Sequence, residues 1–224
     1  MARMKAKKWR RQQAETVLLR LDSEYEQKRT ALDYRSDWEL LVAVILSAQA
    51  TDKKVNEVTR ALFEKYRSLE DYAAADPAEF EQDIHQTGFF RNKTKSVLGA
   101  AQKLLSEYDG RVPHNMKDLL TLPGVARKTA NVVLQNIDPE AFAKDPDSGI
   151  AVDTHVHRLA ERLGLGSGKN PQTTEQELLE VVPRDKRRDI TYLLIDHGRA
   201  ICSARRPNCT DCVLNDICPS AFSL

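Results

Sequence analysis

Leu122-Pro123-Gly124-Val125-Ala126-Arg127-Lys128-Thr129-Ala130 is the stretch on which the fold turns. Pro123-Gly124 is turn chemistry, and the apolar residues that follow, Ala130, Val133 and Leu134, recur at the three and four spacing of one helix face. The segment before it has the same spacing and ends at Leu120 or Thr121, so the region reads as a helix, a hairpin and a helix. Glycine allows a close backbone approach, and the free N–H groups of a helix start attract anions. Gly124, Val125, Ala126 and Arg127 are therefore candidate contacts for a phosphate backbone, gripped without base readout.

The same spacing extends outward along the chain, and no stretch alternates as a strand would, so the reading is all-α. Helices are expected over roughly 12–27, 37–49, 53–66, 77–85, 93–107, 115–121, 126–136, 154–164, 174–181 and 185–200, separated by turn signals such as Asp76-Pro77, Gly88 and Asp109-Gly110. Ten helices in 224 residues suit two domains better than one bundle. Trp38 to Leu46 is apolar nearly all round, as a central buried helix is. It then gives way to Ser47, Gln49, Thr51 and Asp52, a polar cluster that a rigid element can aim; Asp52 or Thr51 is expected to cap the next helix.

With 41% hydrophobic and 30% charged residues the chain can bury a core. The apolar run Leu40 to Leu46 is about a third of a bilayer span, and the first thirty residues lack the pattern of a secretory or transit signal, so a cytoplasmic location is expected, nucleoid-associated if the source is bacterial. The net charge of +1 hides local imbalance. Arg3, Lys5, Lys7, Lys8, Arg10 and Arg11 stand without an acid among them, and residues 184 to 206 hold seven basic side chains against three acidic. Either run suits phosphate, although a solvated face has the same composition.

Cys202, Cys209, Cys212 and Cys218 are the only cysteines, spaced C-x6-C-x2-C-x5-C near the C-terminus. In a chain with no secretory signal such a group points to a metal centre rather than to disulfides. Zinc sites usually join two close pairs, whereas one C-x2-C with two outlying cysteines suits an iron-sulfur cubane. Its expected role is structural, as a substitute for a core that so short a segment cannot build. Arg205 and Arg206 lie between the first two cysteines and are candidate phosphate contacts.

Lys128 falls in the first turn of the hairpin's second helix, where the dipole disfavours a cation, and a neutral amine there would be a nucleophile able to form a Schiff base. Asp153 follows Ile150-Ala151-Val152 and precedes a helical segment. That is an ordinary N-cap position, and a carboxylate held there is also able to stabilise a developing sugar cation or relay a proton. Thr154 and His155 adjoin it as candidate supports, while His157 reads as a packing or polar histidine.

Four features in this order, Leu46-Ser47-Ala48-Gln49-Ala50-Thr51-Asp52, the hairpin with Lys128, Val152-Asp153-Thr154-His155 and the cysteine spacing, resemble the endonuclease III family of helix-hairpin-helix DNA glycosylases over nearly the whole chain. The resemblance implies an all-α fold of two domains with a cleft between them: a six-helix barrel over about 30–140, and a helical domain from 1–29 and 141–224 carrying one [4Fe-4S] cluster on the four cysteines. It implies a monomer acting on double-stranded DNA with oxidised pyrimidines or abasic sites, without a membrane partner. Lys128 would attack C1′ of the flipped nucleotide and expel the base, Asp153 would assist, and β-elimination would cut the strand 3′ to the site. Gln49 would enter the void left in the duplex, and Phe89 would act as a wedge.

Three departures from the family stand out. Phe89 replaces the usual leucine, and the neighbouring Phe90 is the better core candidate. Ala126 replaces the hairpin's second glycine, which matters if the position needs positive φ. The acid-rich stretch from Asp138 to Gly149 is longer than expected and could restrict access to the cleft. The competing readings are a monofunctional mismatch glycosylase of the same fold, a non-catalytic lesion sensor and a zinc-binding structural module.

Overall fold

The computed structural model describes residues 2–26 and 28–223, with side chains from Ala6 onward, so Arg3 and Lys5 of the basic run lie outside the described side chains. All regular structure among the described residues is helical. The chain divides into two compact units, Thr30–Ser148 and Met1–Arg29 with Gly149–Leu224.

The continuous unit is built on α2 (Asp37–Leu46), in which every residue from Leu40 to Leu46 is buried. Ser36 starts this helix by accepting the Glu39 N–H on its hydroxyl. Around it lie α3 (Asp52–Lys65), α4 (Leu69–Ala74), α5 (Pro77–Ile84), α6 (Phe90–Glu107), α7 (Met116–Leu119), α8 (Arg127–Ile137) and α9 (Pro139–Lys144), with α2 packed against α3, α6 and α8. Only an element apolar on all sides can sit in such a place, because each face meets a neighbour. Trp38, Tyr66, Tyr72 and Phe80 join in edge-on and tilted ring pairs with centroids 5.1 to 5.9 Å apart. Such pairs contribute about 0.5–1.5 kcal/mol each beyond area burial.

Two six-residue helices, α4 and α9, lie outside the ranges expected from periodicity. α4 is started by a reciprocal box, in which Ser68 accepts from the Asp71 N–H and Asp71 accepts from the Ser68 N–H. α9 forms within the acid-rich stretch expected to hang near a cleft: Asp138 caps it and Phe142 is buried in the core of this unit. Asp145 accepts the Met116 N–H at 2.7 Å. The unit therefore runs on to Ser148, past the edge at 140 suggested by the sequence.

The second unit packs α12 (Arg187–Ala200) against α10 (Thr154–Arg162) and α1 (Ala2–Glu24), with α11 (Pro171–Leu179) against α10. Its core includes Val17, Leu21, Leu159, Leu193 and Leu194. The N-terminal basic run is helical instead of a loose arm. Arg10 is spent inside the unit, donating to the carbonyls of Leu165 at 2.6 Å and Glu177 at 2.8 Å, so it is unavailable for the phosphate contact considered above.

Candidate functional site

The hairpin is closed by the Val125 N–H donating to the Leu122 carbonyl at 3.1 Å, which puts Pro123 and Gly124 in the two central positions. Gly124 has φ +77°, and a Cβ there would lie 2.4 Å from the Cβ of Ser96 on α6. Its lack of a side chain thus serves contact with the chain's own helix, a role the phosphate reading had overlooked. Gly99, one turn further along α6, faces the ring of Pro123, and a Cβ there would meet it at an ordinary contact distance of 3.4 Å. The residue against which the hairpin is seated is Ser96, and it is not visible from the hairpin sequence.

Ala126 is the N-cap of α8 with φ −84° and ψ 171°, extended backbone in which a methyl group causes no strain. The alanine side chain cannot accept a hydrogen bond, so α8 begins without side-chain capping. Lys128 is the second residue of this helix and is exposed; Arg127 is half-buried, Gly124 exposed and Val125 buried.

Gln49 and Phe89 both have left-handed backbone, φ +55° and +49°, which non-glycine residues adopt at a cost of about 1–3 kcal/mol. Gln49 is exposed in the turn between α2 and α3, and Phe89 is 62% exposed just before α6. Phe90, by contrast, packs on the core with its ring 4.5 Å from that of His85. Thr51 is the residue that caps α3, accepting the Lys54 N–H, while Asp52 opens the helix.

Lys93 belongs with these turns, and sequence reading assigned it no role. It is 4% exposed, and its ammonium donates to the carbonyls of Leu46 at 2.8 Å and Thr87 at 2.7 Å. Leu46 ends α2, where the dipole favours a cation. Burial pushes the Lys93 amine below its ordinary value. A lone basic residue among Arg91, Lys93 and Lys95 carries no sequence signal of burial.

In the other unit, Asp153 is the N-cap of α10. Its Oδ1 accepts the N–H groups of His155 and Val156, both at 2.8 Å, so the capping reading holds for that oxygen. Oδ2 accepts no hydrogen bond among the described residues, and a carboxylate fixed on one side stays open on the other. The buried trio Ile150, Ala151 and Val152 anchors it. Thr154 is exposed, and half-buried His155 has its Nδ1 3.2 Å from Nη2 of Arg158.

The four cysteines are unpaired and line one cavity of about 400 Å³, counted with the open solvent it includes. Among the described residues no three His, Cys, Asp or Glu side chains are gathered closely enough to hold a single metal ion. Hydrogen bonds already point at the sulfurs: Arg162 donates to Cys202 Sγ at 3.2 Å, the Leu214 N–H donates to Cys212 Sγ at 3.4 Å, and His197 Nε2 lies 3.3 Å from Cys212 Sγ. Burial raises the thiols of Cys212 and Cys218, and the neighbouring cysteines add to it. Arg162 also donates to the carbonyls of Ser203 and Ala204, both at 2.8 Å. The loop so held leaves Arg205 and Arg206 exposed, with no acidic partner for either among the described residues.

Residues 42–184 match the family described as HhH-GPD superfamily base excision DNA repair protein. The chain is 48% identical over 212 residues to endonuclease III of Synechocystis sp., covering 95% of this chain and 94% of that one. A solved structure of a trapped endonuclease III–DNA covalent intermediate, an estranged-adenine complex, superposes with a TM-score of 0.85 at 38% identity, covering 95% of this chain and 97% of that one. A thermostable thymine-DNA glycosylase superposes at 0.76 with 25% identity over the full length of both. The chain belongs to the endonuclease III family within the HhH-GPD superfamily of base excision DNA repair proteins.

Proposed function

We propose that the protein is a bifunctional DNA glycosylase and abasic-site lyase of base excision repair that removes oxidised pyrimidines from duplex DNA. The observation that carries this reading is the exposed amine of Lys128 at the start of α8, in a chain that matches a protein trapped covalently on DNA. The neutral amine attacks C1′ of the extruded nucleotide, the glycosidic bond breaks, and the base departs with its electron pair and takes up a proton. Loss of the amine proton and ring opening leave a Schiff base between Lys128 and the sugar. Removal of a proton from C2′ then expels the 3′ phosphate by β-elimination, and water releases the amine. The Oδ2 edge of Asp153 is the carboxylate for these proton transfers and for the developing sugar cation.

The hairpin and the uncapped start of α8 hold backbone phosphate, with Arg205 and Arg206 as further contacts. Gln49 and Phe89 fill the space vacated by the extruded base. Cys202, Cys209, Cys212 and Cys218 would hold one [4Fe-4S] cluster, whose contribution when bound is to tie down the loop bearing the two arginines. The amine at Lys128 favours the bifunctional reading over the monofunctional and non-catalytic ones.

Borohydride trapping on a duplex with one thymine glycol or one abasic site tests this. The native, cluster-loaded protein is expected to form a covalent adduct, and Lys128→Ala none. No adduct from the native protein sinks the lyase assignment; an adduct retained by Lys128→Ala moves the nucleophile elsewhere.

A further inference from the structure

Three observations converge on one residue outside the chemistry. First, the two exposed tips Gln49 and Phe89 share an unusual left-handed backbone, and each would relax unless its surroundings held it. Second, the carbonyls that receive the Lys93 ammonium lie at the roots of those tips, Leu46 three residues before Gln49 and Thr87 two residues before Phe89. Third, the Lys93 backbone N–H donates to the carbonyl of Phe89 itself at 3.2 Å. A buried ammonium is a costly way to fill space that a methionine would fill, and it is repaid only where fixed acceptors meet it.

We propose that Lys93 is a positioning residue for base extrusion: one buried ammonium, bonded to the carbonyls of Leu46 and Thr87, sets the spacing of the Gln49 and Phe89 tips. The proposal rests on the reading that these tips enter the duplex. Gln49 hangs from the end of α2 and Phe89 from the 3-10 turn His85–Thr87, elements that share no covalent link shorter than 38 residues between Leu46 and His85. The ammonium is the buried polar link between their roots, beside one exposed bond in which Lys54 Nζ donates to Gln86 Oε1 at 3.2 Å. Without it each turn keeps its own local geometry, but the spacing of the tips is left to the exposed Lys54–Gln86 bond and to packing, and a pair of tips that matches the gap less closely holds a base out of the stack less well.

The test compares thymine glycol in a fully paired duplex with the same lesion flanked by unpaired bases, where extrusion costs little. Lys93→Met is expected to lower kcat/KM on the paired duplex by roughly 10-fold, and to change it by less than about 2-fold on the unpaired substrate. Lys93→Gln, which keeps a donor for one carbonyl, should fall between native and Lys93→Met on the paired duplex. Circular dichroism and cluster absorbance check that the variants are folded and loaded. Equal losses on the two substrates overturn the proposal, because a merely structural role lowers both. So does native behaviour on both, and so does failure of both variants to fold, which would make Lys93 a requirement of the fold itself. A native protein inactive on both substrates removes the underlying glycosylase reading, and a result confined to Lys93 variants leaves that reading standing.

Discussion

Gly124→Ala is the sharpest test of how the hairpin is seated. Two costs act on the added methyl group. Positive φ at +77° disfavours any L side chain by about 1–2 kcal/mol. The new Cβ would also lie 2.4 Å from the Ser96 Cβ and 2.6 Å from its Oγ, an overlap that backbone shifts relieve at about 1–3 kcal/mol. The two together predict a destabilisation of roughly 2–5 kcal/mol for this unit. Ser96→Gly removes the obstructing side chain and by itself costs only about 0.5 kcal/mol of helix propensity. In the double variant the overlap disappears while the φ cost stays, so the two substitutions should couple by about 1–3 kcal/mol in the compensating direction. Because the chain has two compact units, one global midpoint would mix them. The two tryptophans, Trp9 and Trp38, fall one in each unit, so in a Trp9→Phe background urea unfolding followed by fluorescence reports the hairpin's unit through Trp38. A Gly124→Ala variant within about 0.5 kcal/mol of the parent, or full additivity with Ser96→Gly, would refute the seating described here.

Two further outcomes are expected. His114 has Nε2 2.9 Å from Asp37 and Nδ1 3.0 Å from Asp138, contacts that raise its pKa above the ordinary 6.5. Its contribution to stability is therefore fully present below 6.5 and lost as pH rises through the raised value. The midpoint difference between the parent and His114→Ala should shrink as pH rises from below 6.5 through the raised value, and an unchanged or growing difference counts against the pair. Arg205→Ala and Arg206→Ala should each weaken binding to undamaged and lesion duplexes alike, and each should reduce the slope of log K against log salt by about 0.9 if its guanidinium neutralises one phosphate. Unchanged slopes would place both arginines off the DNA.

Much of the molecule follows from local chemistry. Helices beyond two turns show their period, so α2, α3, α6, α8 and α12 lie close to their expected places. Caps and turns are equally local: Asp153 was legible as an N-cap, and Asp76-Pro77 and Pro123-Gly124 as turns, the first of which proves to be the capped start of α5. The six-residue helices α4 and α9 were not legible, since each is set off by its cap, Ser68 or Asp138, and carries little apolar periodicity of its own. Between Thr51 and Asp52 the cap was left open, since either side chain suits the position and only the start of α3 chooses.

The all-α class, the hairpin turn and the Asp153 cap are legible in the sequence alone, because each depends on spacing along a few turns of chain. Tertiary structure decided what individual residues touch. Gly124 answers to Ser96, Arg10 to the carbonyls of Leu165 and Glu177, and Lys93 to the ends of two segments remote from each other in sequence. Local pattern records a residue's own preferences, but whether a charge is buried or a methyl group tolerated is set by atoms that only folding brings within reach.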